Sequence, residues 1–133
     1  MVRITPSCRF AVGMIDPHMI TLFAPIARNA TEVAVFAYLD ADGRLLGLRH
    51  LPSLSAGTIE VPVRAVASDA LAFRARQVVM AHNHPSGDAE PSGDDLITTR
   101  RLARALDALG VRLVEHLVLA GDRVTSFRER GLL

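Results

Sequence analysis

Residues 82–95 read His-Asn-His-Pro-Ser-Gly-Asp-Ala-Glu-Pro-Ser-Gly-Asp-Asp. His82 and His84, two apart, are followed by Ser92 and then by Asp95. Two imidazoles and one carboxylate make a candidate open metal site. Three protein ligands with a fourth position left for water is the pattern of a catalytic zinc, not a structural one. Iron or manganese would also accept this donor set. Hydrolysis at such a site needs two more groups: a base for the attacking water and a donor for the developing oxyanion. A further carboxylate fits the first role. Ser92, one helical turn from Asp95, fits the second. Ser-x-x-Asp ahead of a helix is also a capping box, and the two roles are compatible. The letters His82-Asn83-His84 also spell HNH, but HNH nucleases scatter those residues over a longer motif, so the contiguous match carries no weight.

Certain elements must position these side chains. In an extended chain, residues two apart point the same way, with Cα atoms roughly 6.5–7 Å apart. Gln77 to His82 (QVVMAH) is a nearly continuous apolar run that suits a buried central strand. Pro85 biases His84 away from helix. Residues 83–92 form a Pro/Gly/Ser loop, and a helix from Gly93 to Leu109 then presents Asp95. Leu96, Ala103, Leu106 and Leu109 lie on or near one face of that helix, with Arg100, Arg101 and Arg104 largely elsewhere. Gly110 is placed to end it.

Upstream, Asp16-Pro17 resembles an N-cap with proline at N1, so a short helix is expected through about Ile26. Thr31 to Asp40 reads as a strand, Asp42-Gly43 as a turn and Arg44 to Leu51 as the partner strand. Pro52 to Gly57 is a loop. Ile59 to Val63 suits a short extended piece, and Pro62 also suits the opening of a helix through about Arg74. Downstream, Val111 to Leu119 and Val124 to Phe127 read as strands joined by a turn at Gly121-Asp122. The order is α-β-β-α-β-α-β-β, an α/β (α+β) domain with a mixed central sheet flanked by helices.

Composition narrows the function classes. A chain of 133 residues, half of them hydrophobic, builds one core and is not a disordered segment. Fifteen basic and fourteen acidic residues leave a net charge of +1, too balanced for a nucleic-acid footprint. The basic groups Arg100/Arg101/Arg104 and Arg128/Arg130 read as a solvated helix face and a charged tail. Cys8 is the single cysteine, which excludes an intrachain disulfide and points to a reducing, cytoplasmic setting. Asp16, Pro17 and His18 interrupt the apolar stretch a signal peptide would need, and no run is long enough to span a bilayer. His18 and His50 read as surface or packing residues.

The pattern His-x-His, seven residues, Ser, two residues, Asp resembles the JAMM (JAB/MPN) metalloprotease domain. The wording His82-Asn83-His84-Pro85-Ser86-Gly87-Asp88 with Pro91-Ser92 resembles its bacterial RadC-like branch more specifically. Further similarity lies in Leu39-Asp40 with Gly43-Arg44-Leu45, in the helix 96–109, in Glu115 to Leu119 and in the ending Ser126 to Leu133. The resemblance covers residues 31–133. It leaves residues 1–30 as an N-terminal extension with a short helix packed on the domain. It implies a JAB/MPN, cytidine-deaminase-like architecture, Zn2+ held by His82, His84 and Asp95, and Ser92 as the group that stabilises the tetrahedral intermediate.

The resemblance also implies a glutamate on the first long strand acting as base. Glu32 is at the matching position and Glu60 is the fallback. Glu90 lies in the loop beside the site, and Glu115 comes too late in the pattern. His116 matches a family histidine but not a metal position, so it reads as a supporting or packing residue. The implied reaction is hydrolysis of a peptide or isopeptide bond in a protein substrate, and rival readings are a protein-binding module and a DNA-repair-associated factor. RadC-like proteins usually carry a helix-hairpin-helix region, and no Gly-x-Gly hairpin signal precedes the first strand here. No nucleic-acid partner is therefore expected of this chain alone, and no membrane.

Overall fold

The computed structural model describes residues 17–52 and 63–133. Cys8, the Asp16 cap, Glu60 and the extended piece at 59–62 lie outside the described residues. The elements are helix α1 (Pro17–Phe23) with a 3₁₀ turn (Ala24–Ile26), strands β1 (Val33–Leu39) and β2 (Leu45–Pro52), helix α2 (Val63–Ala72), strand β3 (Gln77–Asn83), helix α3 (Gly93–Asp107), and strands β4 (Arg112–Ala120) and β5 (Arg123–Ser126). This matches the expected order of elements.

The five strands form one sheet in the order β2-β1-β3-β4-β5. Only β3 and β4 are parallel, and they are joined through α3; the other neighbours are antiparallel. A parallel pair needs a crossover, and here that crossover carries the loop and helix on which Ser92 and Asp95 sit. Both faces of the sheet are covered. On one, Val35, Ala37, Leu39, Val79, Ala81, Leu117 and Leu119 pack with Met19, Phe23 and Ile26 of the N-terminal helical segment. On the other, Phe36, Tyr38, Val78 and Met80 pack with Val66 and Ala70 of α2 and with Leu102 and Leu106 of α3. Burial on both faces is why β1 is apolar throughout and β3 carries the unbroken apolar run Val78–Ala81 rather than alternating.

Two details depart from expectation. The last helix ends at Asp107, with a C-cap at Ala108 and Gly110 at positive φ. Its buried line is Asp95, Thr99, Leu102 and Leu106, whereas Leu109 is 41% exposed. Spacings of four, three and four residues make this one continuous stripe. Counting apolar residues alone missed it, because its first two members are polar.

Candidate metal centre

The period-two geometry of β3 divides three consecutive residues between two tasks. Val78, Met80 and His82 face α3, and Val79, Ala81 and Asn83 face the opposite way. His82 is fully buried. His84 follows the strand end, where its N–H donates to the Leu119 carbonyl at 2.8 Å. The chain then turns at Pro85–Gly87, where Gly87 takes φ +85, a conformation that favours glycine. Ser92 caps α3: its Oγ accepts from the Asp95 N–H at 3.1 Å, and Asp95 Oδ2 accepts from the Ser92 N–H at 2.8 Å. The expected capping box is formed. It also fixes the carboxylate at the first turn of α3, facing the histidines.

The three side chains converge. His82 Nε2 lies 3.0 Å from His84 Nε2 and 3.4 Å from Asp95 Oδ1, and His84 Nε2 lies 3.1 Å from Asp95 Oδ2. Ligands about 2.0–2.1 Å from a tetrahedral zinc stand roughly 3.3 Å apart, so these separations suit one small ion. The chemistry of the donors points the same way. His84 Nδ1 is 2.8 Å from the Asp88 carbonyl, which only accepts, so Nδ1 carries the proton and Nε2 presents a lone pair. That lone pair faces a carboxylate. That carboxylate accepts from the Ser92 N–H, which favours its ionised form against the opposing effect of burial. With neutral imidazoles these are acceptors facing acceptors, an arrangement that suits a cation between them. Among the described residues, His82, His84 and Asp95 are the group of side chains arranged to hold one.

A cleft of about 330 Å³ opens over this centre, lined by Glu32, His84, Ser92, Asp94 and Asp95 with residues of the 85–90 loop. Glu32 sits just ahead of β1, half-buried. Ala34 pairs with His82, so continuing that antiparallel register places Glu32 opposite His84. Asn83 secures this segment. Its Oδ1 accepts from the Val33 N–H at 2.6 Å, and its Nδ2 donates to the Thr31 carbonyl at 3.0 Å and the Asn29 carbonyl at 3.3 Å. The residue between the two histidines thus holds the backbone on both sides of Glu32. An adjoining cleft of about 370 Å³ shares Asp88 and Glu90 with the first and is bordered by Arg123 and Arg130.

The structure brings Glu32, His82, His84, Ser92 and Asp95 to one place. Glu90 is exposed and bonds Arg130 at 2.7 Å. Glu115 is buried and fully engaged: it accepts from the His116 and Arg128 N–H groups and from Ser126 Oγ. His18 and His50 are exposed. Sequence reading missed Asn83 and Thr99, whose importance lies in strand register and helix phase.

A mixed sheet with His-x-His at the end of a central strand and an aspartate on the next helix defines an α/β domain with a candidate metal site. The family model for the RadC-like JAB domain matches residues 16–132, and the chain belongs to that family. It is 46% identical over 108 residues to a UPF0758 protein of Cupriavidus pinatubonensis, a stretch covering 81% of this chain and 47% of that protein. It is 40% identical over 120 residues to a UPF0758 protein of Cellvibrio japonicus, covering 89% and 54%. It is also 40% identical over 102 residues to the UPF0758 protein YfjY of Escherichia coli, covering 77% and 64%. The chain spans about half the length of the first two of these relatives. No helix among the described residues is long and apolar enough to cross a membrane.

Proposed function

We propose that this chain is a zinc-dependent hydrolase of amide bonds, acting on a peptide or on an isopeptide-linked protein in a reducing, cytoplasmic setting. The observation that carries the reading is the convergence of two imidazoles and one ionised carboxylate beneath a cleft that also holds Glu32 and Ser92. His82, His84 and Asp95 would hold the ion. Zinc bound there supplies Lewis-acid polarisation of the scissile carbonyl and lowers the pKa of water toward about 7.

The chain's own residues do the rest. Glu32 accepts a proton from the attacking water and returns it to the leaving amine, the two proton movements an amide hydrolysis needs. Ser92 Oγ accepts from the Asp95 N–H through one lone pair, and its O–H is available to donate into the cleft toward the oxyanion. Asn83 keeps the Glu32 segment in register. The test is a Glu32→Gln protein offered peptide and isopeptide-linked substrates beside the wild type. We expect it to keep its zinc and to lose cleavage by about 10²–10⁴-fold. Undiminished cleavage puts the base elsewhere. The same variant serves as a trap to capture the substrate.

A further inference from the structure

We propose that Thr99 and His116 form a buried hydrogen-bond relay that fixes His82 in the tautomer able to bind a metal, and so sets the metal affinity of the centre. The proposal rests on the reading of His82, His84 and Asp95 as a cation site.

Each link in the relay dictates the next. The Asp95 carbonyl accepts only, and Thr99 Oγ1 lies 2.6 Å from it, so the one hydroxyl hydrogen of Thr99 is committed there. Thr99 Oγ1 is also 2.7 Å from His116 Nδ1, and that contact is a hydrogen bond only if Nδ1–H donates. His116 is wholly buried with both ring nitrogens occupied by neutral partners, so its ring carries one proton and Nε2 carries a lone pair. His116 Nε2 stands 2.6 Å from His82 Nδ1, which must therefore donate. With its proton on Nδ1, His82 presents a bare Nε2 to His84 and Asp95. The reverse polarity would leave two acceptors 2.6 Å apart at the start of the chain and put an N–H where the metal belongs.

The fold holds this relay rigidly. The β3–β4 register slips by one residue between Val78 and Val79, so that Val78 pairs with Leu113 but Val79 with Glu115. That slip resets the phase of β4 and turns His116 onto the same face as Met80 and His82. The Phe127 ring stacks on His116 with centroids 4.2 Å apart and a 20° interplanar angle, which fixes the imidazole orientation. Thr99 and His116 are 1% and 0% exposed, so no solvent replaces a lost partner. Thr99 lies one turn beyond Asp95 on α3. The relay therefore starts on the backbone of one proposed ligand and ends on the side chain of another. His84 is set independently through Asp88.

The experiment uses the full chain labelled with ¹⁵N-histidine. Long-range proton–nitrogen spectra of the metal-free protein should show His116 and His82 protonated on Nδ1 and bare on Nε2. On addition of zinc, the His82 Nε2 resonance should shift while its Nδ1 keeps its proton. In Thr99→Val, which keeps the shape and removes the hydroxyl, chelator competition should show zinc bound about 10–100-fold more weakly, and Thr99→Ser should restore it. A proton on His116 Nε2 in the unmodified protein overturns the proposal, as does a folded Thr99→Val protein with wild-type zinc affinity. If the wild type binds no zinc, the metal reading fails; the tautomers, read on metal-free protein, still decide the polarity of the relay.

Discussion

Asp69 and Asp95 both sit on helices packed against the same face of the sheet, yet their surroundings are opposite. Asp69, on α2, is surrounded by donors: Arg49 Nη2 at 2.6 Å on Oδ1, and Arg49 Nε and the Tyr38 hydroxyl (2.9 Å) on Oδ2. Arg49 first, then Tyr38, hold its carboxyl below its ordinary value. Its hydrogen-bond needs are met by the protein. Asp95, near the other end of β3, receives one backbone N–H from Ser92 and otherwise faces imidazole nitrogens that have nothing to donate once their other nitrogens carry the proton. A closed network of this kind ties α2 to β1 and β2. An open one leaves a position suited to a cation.

The contrast predicts opposite outcomes for the same substitution. Asp95→Asn should weaken zinc binding by more than about 100-fold, beyond the cost of losing a supporting hydrogen bond, and should abolish turnover. Metal content measured on the folded variant checks this. Ser92→Ala comes next, because it strikes both roles of one side chain. Cleavage should fall about 10²–10³-fold for the lost oxyanion donor, with about 1 kcal/mol of stability lost with the cap. Kinetics and denaturant titration on the same preparation separate the two.

A smaller effect concerns acid. Burial pushes His116 well below its ordinary value, so the folded protein resists protonating it. The unfolded chain takes up that proton near the ordinary histidine value of 6.5. Below about pH 6.5 the unfolded state thus binds more protons, and stability falls as pH falls, by up to about 1.4 kcal/mol per pH unit for this one group. Unfolding of zinc-free protein followed from neutral to mildly acidic pH checks the sign. The smallest expected effect is at the closed network. Asp69→Asn should cost about 1 kcal/mol and leave zinc affinity unchanged. A loss of metal in that variant would erase the distinction between the two regions.

Much of this was legible in the sequence, for definite physical reasons. Runs apolar on both faces marked β1 and β3, the Ser-x-x-Asp signal marked the start of α3, and the histidine spacing needed only an extended chain to bring the rings together. What stayed hidden depended on phase. Thr99 looks like an ordinary helix residue until the buried stripe is seen to run through Asp95 and Thr99 to Leu102 and Leu106. Asn83 looks like a spacer until alternation points it at the segment around Glu32. His116 faces His82 only because the β3–β4 register slips, and no local pattern in the chain announces that slip.

The most direct test of the central claim is metal stoichiometry on the full chain, wild type beside a His82→Ala/His84→Ala double variant. The metal-centre account predicts about one zinc per wild-type chain and none in the folded double variant, with Glu32→Gln retaining its ion. Zinc bound equally by wild type and double variant would contradict it.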